Sequence, residues 1–337
     1  MKHHFPKVDL HLHLDGSMPP ALSWELAHQQ NYPLPVDNYD DFLKYVVIAP
    51  ENGSVNEFLQ RFDMPTALLQ TKEALYKTGY EITKMLAQQG LFYAEVRFAP
   101  QLHTNRGLTQ EDAFLAVLKG TQDGMRDYPT IRVGLILCCM VVGLPTVNHQ
   151  ANMETVALCG KYKGKGAIAM DLAGAEGLCP LTEFGDLFAY GHQLGLNMTC
   201  HAGDSQGPET VRAAIEFGVT RIGHGHHVYN DPELCKICAQ RQIALEICLT
   251  SNIQCHTQPS YQEHPAKALM EMGIPITLNT DNMTISNVTL DSEYDIATKY
   301  CGFSPKDLIR CNIASIQASF MPKEDKQAYV DKLSEYL

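Results

Sequence analysis

Positive charge is scarce in this chain of 337 residues: 26 Lys and Arg stand against 38 Asp and Glu, for a formal net charge of −12. Binding along a nucleic-acid backbone needs clustered Lys and Arg to displace counterions, so a nucleic-acid polymer is not the expected partner. Long apolar runs are missing too. The longest, about Val133 to Leu144, is too short and too interrupted by glycine to span a bilayer, and the opening Met1-Lys2-His3-His4-Phe5-Pro6 has no apolar leader core. No membrane partner is expected, and the sequence predicts a cytoplasmic protein. No GxGxxG joins a strand-like to a helix-like segment, which removes the usual sign of dinucleotide binding. Cys235 and Cys238 form a CxxC without a second pair, which argues against a zinc ribbon. The eleven cysteines are odd in number and scattered through apolar segments such as Leu135-Ile136-Leu137-Cys138-Cys139-Met140, so they read as reduced core residues.

What the chain does have is apolar sequence cut into strand-sized pieces. Eight short runs recur: Lys7 to Leu14, Leu91 to Phe98, Ile131 to Met140, Gly166 to Leu172, Leu196 to His201, Thr220 to Gly225, Ile243 to Cys248 and Ile274 to Thr280. Amphipathic stretches of helical length lie between most of them, for example Leu181 to Leu194, Glu209 to Phe217 and Pro265 to Met272. Strands alternating with helices imply a parallel sheet, and eight units in one chain predict a closed (β/α)₈ TIM barrel, with an open doubly wound sheet as the alternative. The expectation is one domain over residues 1–337. The link between the first two strands is far longer than a loop plus one helix. Residues 17 to about 88 are therefore read as a helical insertion, with Val55 to Phe62 and the amphipathic pattern through Leu86 folded over the barrel mouth as a lid. Ser304 to Phe320 and Lys323 to Leu337 predict two extra C-terminal helices, with Ser304 and Pro305 as cap and first turn.

Polar residues collect at the predicted C-terminal strand ends, where a barrel's active-site loops emerge. The first strand ends His11-Leu12-His13-Leu14-Asp15-Gly16, and its period of two puts both imidazoles on one face. The fifth ends His201-Ala202-Gly203-Asp204, the sixth Gly223-His224-Gly225 and the eighth Asn279-Thr280-Asp281-Asn282. Unpaired buried polar groups cost about 1–3 kcal/mol each, so four such ends in one barrel point to a shared task. Imidazole nitrogens with a carboxylate suit a catalytic zinc, which keeps a position open for a water acidified to a pKa of about 7. His11, His13, His201 and Asp281 are the predicted ligands of one Zn²⁺ per subunit.

In order along the chain, Pro6 to Gly16, Phe92 to Pro100, Asp171-Leu172-Ala173-Gly174, His201-Ala202-Gly203, Arg221 to Gly225, Ser251-Asn252 and Leu278 to Asp281 resemble the adenosine deaminases of the amidohydrolase superfamily almost end to end. The resemblance implies the same four ligands, and hydrolytic deamination at purine C6 of adenosine and 2′-deoxyadenosine, giving inosine and ammonia. It casts His224 as base or electrostatic orienter, Asp281 as a hydrogen-bond partner of the attacking water, and Asp204 as the acid at N1. Gly174 N–H would read N3, Asp15 the ribose hydroxyls, and Phe58, Leu59 and Phe62 would cover the nucleoside, with His13 beside it. Arg97 and Glu95 read as structural.

Three positions depart from the family pattern. Asp204 stands where HAGE has glutamate, one methylene short; either the site compensates, or Asp204 caps the next helix and another acid such as Glu176 helps. Asn282 replaces a second aspartate, and its NH₂ can still donate to purine N7. Ala175 replaces an acid that often follows the glycine of DLAG. The alternatives are a deaminase of another 6-aminopurine (adenine, methylthioadenosine or aminodeoxyfutalosine), or a catalytically weakened purine-nucleoside-binding relative. A binuclear hydrolase would want a lysine near Met170-Asp171-Leu172, and none is there.

Overall fold

A computed structural model describes residues 3–48 and 55–337, the side chains of residues 55–57 excepted. The part of the predicted lid over residues 49–54 lies outside the described residues. Eight parallel strands follow the predicted order: β1 Lys7–His13, β2 Leu91–Phe98, β3 Arg132–Val141, β4 Ala167–Gly174, β5 Thr199–Ala202, β6 Arg221–His224, β7 Ala244–Ile247 and β8 Ile276–Leu278. β1 to β4 pair in sequence order, as do β5 to β8. Single parallel bridges close the two seams, Met170 with Met198 and Leu12 with Asp281. The result is the α/β TIM barrel, not the open sheet.

Strands buried on both faces read as nearly unbroken apolar runs, which is why the sequence marks all eight. The last four are shorter than their runs. Leu196, Ile243 and Ile274 are buried but lie before the ladder begins, because hydrophobicity reports burial and not strand pairing.

Between β1 and β2 come α1 Pro20–Gln29, α2 Tyr39–Val46, α3 Val55–Gln60, α4 Asp63–Leu68 and α5 Lys72–Gln88. Asn38 caps α2 by accepting from Asp41 N–H, and Thr71 caps α5 through Ala74 N–H. α3 sits at the mouth: Phe58 clusters with Ile48, Cys255 and Ile285, with Phe62 packed against them. The lid reading fails for α5. That helix lies along the next one, α6 Gln110–Asp127, with Tyr76 and Tyr80 hydroxyls donating to Asp123 and Asp127 at 3.0 and 3.1 Å. It is the barrel's own wall helix, because an amphipathic stripe shows that one face is covered but not what covers it. The C-terminal helices Pro305–Ala318 and Lys323–Ser334 form as expected, the first opened by a Ser304–Asp307 capping box. Asn312 Oδ1 from it accepts the N–H of Val8, fastening it to β1.

All eleven cysteines are free thiols, and every one except Cys179 is buried. Among the described residues no helix is long and apolar enough to cross a membrane.

Candidate active site

Backbone bonds at the β8–β1 seam bring the first ligand candidates together. His13 N–H donates to Asp281 O at 2.7 Å, and Asp281 N–H donates to His11 O at 2.8 Å. Asp281 and His224 both hold left-handed φ angles, 59° and 60°. Such backbone costs about 1–3 kcal/mol at a non-glycine residue and concentrates at functional sites.

The side chains then meet at one point. His13 Nε2 lies 3.3 Å from His201 Nε2, while Asp281 Oδ1 lies 3.4 Å from His11 Nε2 and 3.4 Å from His13 Nε2. Bonds of about 2.0–2.1 Å to a tetrahedral ion would put neighbouring donors about 3.3–3.4 Å apart. His11 Nε2 is buried and makes no hydrogen bond, as a nitrogen reserved for an ion would be. Donor atoms of His11, His13 and Asp281 form one group that could hold a metal, and those of His11, His201 and His224 form a second, overlapping group. The donor set therefore fits one divalent ion.

The groups behind these candidate ligands fix their state. His11 Nδ1 meets Glu246 Oε2 at 2.7 Å and His201 Nδ1 meets Asp171 Oδ2 at 3.0 Å, carboxylate–imidazole pairs that turn Nε2 toward the centre. Burial keeps His11 below its ordinary pKa and His13 well below it, so both are neutral, the form that ligates a metal. Burial alone would raise Asp281, yet the surrounding imidazoles, His11 foremost, hold it well below the usual carboxylate range. Glu246 is likewise held low, with Arg97 and Arg221 overcoming the effect of burial. Arg97 bonds Asp171 at 3.0 Å and Glu246 at 2.7 Å, while Arg221 bonds Glu246 and Glu95, each at 2.6 Å. This fully buried network is what Arg97 and Glu95 serve. Asp171 and Glu246 are positioning groups that the sequence reading did not single out; the available signal was a lone carboxylate inside an apolar strand.

Above the cluster opens a cavity of about 600 Å³. It is lined by His13, Asp15, Phe58, Leu59, Phe62, Gly174, His201, Asp204, His224, Asp281 and Asn282. Every sequence-predicted site residue except the buried His11 thus borders one space, and among the described residues no Lys or Arg does. Burial pushes the Asp15 carboxyl up to about 6. A Cβ on Gly174, at φ 109°, would stand 2.5 Å from Val141 O, and one on Gly16 would stand 1.8 Å from Asn282 Oδ1. Both glycines admit a neighbour that a side chain would displace.

Asp204 does not cap the helix Pro208–Glu216, whose cap is Gly207 without a side-chain bond. Its Oδ1 accepts from Asn252 Nδ2 at 2.8 Å and lies 3.1 Å from Thr257 Oγ1 and 3.6 Å from His224 Nδ1. Glu176 does a different job from the one considered for it. Its carboxylate accepts the consecutive N–H groups of Gly203, Asp204, Ser205 and Gln206 at 2.7–3.1 Å, which leaves it an acceptor and not a proton donor.

The family profile described as Adenosine deaminase matches residues 6–336. The chain belongs to the adenosine deaminase family. An adenosine deaminase from Haemophilus ducreyi is 40% identical over 324 residues, spanning 95% of this chain and 93% of that one. Among solved structures, the adenine deaminase of Arthrobacter aurescens superposes with a TM-score of 0.86 at 22% identity over 98% of each chain. An amidohydrolase from Burkholderia ambifaria with bound Zn also gives 0.86, at 21% identity over 98% of this chain and 92% of that one. Both superpositions agree with the eight-stranded barrel.

Proposed function

We propose that this chain catalyses the hydrolytic deamination of adenosine, and of 2′-deoxyadenosine, to inosine and ammonia, with one Zn²⁺ held by His11, His13, His201 and Asp281. The observation that carries the reading is the cluster of ligand-spaced donors at one cavity, which no Lys or Arg lines among the described residues. A 6-aminopurine nucleoside is neutral and suits such a space, whereas a nucleotide phosphate would find carboxylates and no cation. When bound, the ion supplies an acidified water at neutral pH.

The chain's own residues do the rest. Asp15 takes the ribose hydroxyls, the Gly174 N–H reads N3 and the Asn282 amide donates to N7. Asp204 carries the proton delivered to N1, which breaks the ring's aromaticity and readies C6 for attack. His224 and Asp281 orient the water, Ser251 Oγ steadying Asp281 by donating to its Oδ2 at 2.6 Å. Phe58, Leu59 and Phe62 exclude bulk water as the lid, α1 to α4 being the insertion that covers a single barrel domain. Free thiols and a small neutral substrate fit a cytoplasmic enzyme of purine metabolism.

A deamination assay across adenosine, deoxyadenosine, adenine, methylthioadenosine and AMP tests the reading. Adenosine and deoxyadenosine should lead, with AMP turned over at least on the order of 100-fold less efficiently for want of a phosphate partner. Adenine or AMP as the best substrate would overturn it.

A further inference from the structure

The backbone N–H of Ala266 meets the imidazole of His264 at Nδ1, 3.2 Å away. A backbone N–H can only donate, so His264 Nδ1 is an acceptor and the ring carries its one proton on Nε2. Burial pushes this imidazole's pKa down to about 3, in keeping with a neutral ring. His264 Nε2 lies 3.1 Å from Asn252 Oδ1, which fixes which way the Asn252 amide is turned. Its Nδ2 must then face the other side, where it spends one hydrogen on Asp204 Oδ1 at 2.8 Å and the other on His224 Nδ1 at 3.1 Å.

We infer that Ala266, His264 and Asn252 form a one-way relay that locks His224 in its Nε2–H tautomer, so that His224 meets the reacting oxygen as a hydrogen-bond donor and not as a base. The inference deepens the deaminase reading and rests on it for the oxygen's identity. His224 is not free to choose the other tautomer. With its proton on Nδ1, two N–H groups would confront each other across the contact with Asn252. Turning the amide over would set its carbonyl oxygen against the Asp204 carboxylate and its NH₂ against His264 Nε2–H, so every escape breaks a buried bond. The ring of His224 stands 4.9 Å from that of His11 and 5.5 Å from that of His201, so its free side borders the ligand cluster. The same amide aims Asp204. His264 and Asn252 are thus positioning residues for two groups that touch substrate, although His264 does not border the cavity.

Long-range ¹H–¹⁵N spectra of zinc-loaded protein labelled at histidine report each ring's tautomer. His264 and His224 should both show the Nε2–H pattern. His264→Phe removes the donor, frees Asn252 to turn, and should give mixed His224 tautomers with kcat on adenosine down on the order of 10- to 100-fold and KM changed by less than about 3-fold. His264→Gln, which can still offer an N–H to Asn252, should recover most of kcat. An Nδ1–H pattern at His224 in the wild-type protein overturns the inference without any variant being made. So does a His264→Phe protein with unaltered His224 tautomer and kcat. Wild-type protein that shows the Nε2–H pattern but deaminates nothing counts against the functional reading and for the tautomer assignment.

Discussion

Glu176→Gln is a change of one atom that should loosen the loop carrying Asp204. The Glu176 Oε1 accepts from Gly203 N–H at 2.7 Å, and Oε2 accepts from Asp204, Ser205 and Gln206 at 3.1, 2.7 and 3.1 Å. A glutamine has one carbonyl oxygen. If that oxygen keeps the three N–H groups, its NH₂ faces the Gly203 N–H, which loses one of its two acceptors and keeps Thr210 Oγ1 at 2.9 Å, a loss of about 1 kcal/mol. The three surviving bonds also lose charge assistance, and charged hydrogen bonds are roughly twice as strong as neutral ones. A local loss of about 1–3 kcal/mol follows, concentrated between β5 and the helix Pro208–Glu216. Because displacement of a catalytic group by about 1 Å can cost on the order of 10²-fold, kcat on adenosine should fall about 10- to 100-fold while zinc content stays full. Steady-state kinetics followed by the absorbance change from adenosine to inosine, a thermal melt and a metal determination on the same sample make the test. Unchanged kcat and melting temperature would refute the reasoning, and so would a loss of rate explained wholly by lost zinc.

Four other changes probe other parts of the account. His11→Ala and Asp281→Ala should each abolish turnover and lower the bound zinc; either variant with full metal and full activity would remove that residue from the ligand set. Asp204→Glu should keep or raise activity, and complete loss would show a pocket built around the shorter acid. His103 is buried, and burial pushes its pKa from 6.5 down to about 4. The unfolded chain therefore takes up the proton first, so stability is full above pH 6.5 and falls as pH drops toward 4, by about 3 kcal/mol from this group. Metal-free His103→Leu protein should lose correspondingly less stability than wild type between pH 6.5 and 4 in denaturant titrations, and equal losses would contradict the assignment.

The barrel and its site were legible in sequence to different depths. Eight buried strands announce themselves as apolar runs, and the period-two spacing of His11 and His13 survives into the folded chain because β1 is regular there. The cover at the mouth was legible as an insertion, but α5 was drawn into it because its stripe of buried residues carries no label for its neighbour α6. What holds the proposed ligands was hidden for a different reason. His11 leans on Glu246, His201 on Asp171, and His224 on Asn252 and then His264, and only closure of the barrel brings these residues together. Glu176 shows the same limit: its type suggested an acid, whereas its four backbone donors make it a clamp. For Asp204, read in the sequence as one methylene short of the family's glutamate, the bonds from Asn252 and at Thr257 show where the carboxylate is directed.

The most direct test of the central claim is a zinc titration of metal-free protein with adenosine turnover measured at each point. Deamination should rise in proportion to bound zinc, stop rising at one equivalent per chain, and yield inosine and ammonia in equal amounts. Protein that binds its full equivalent of zinc and binds adenosine, yet releases no ammonia from any 6-aminopurine nucleoside, would contradict the account.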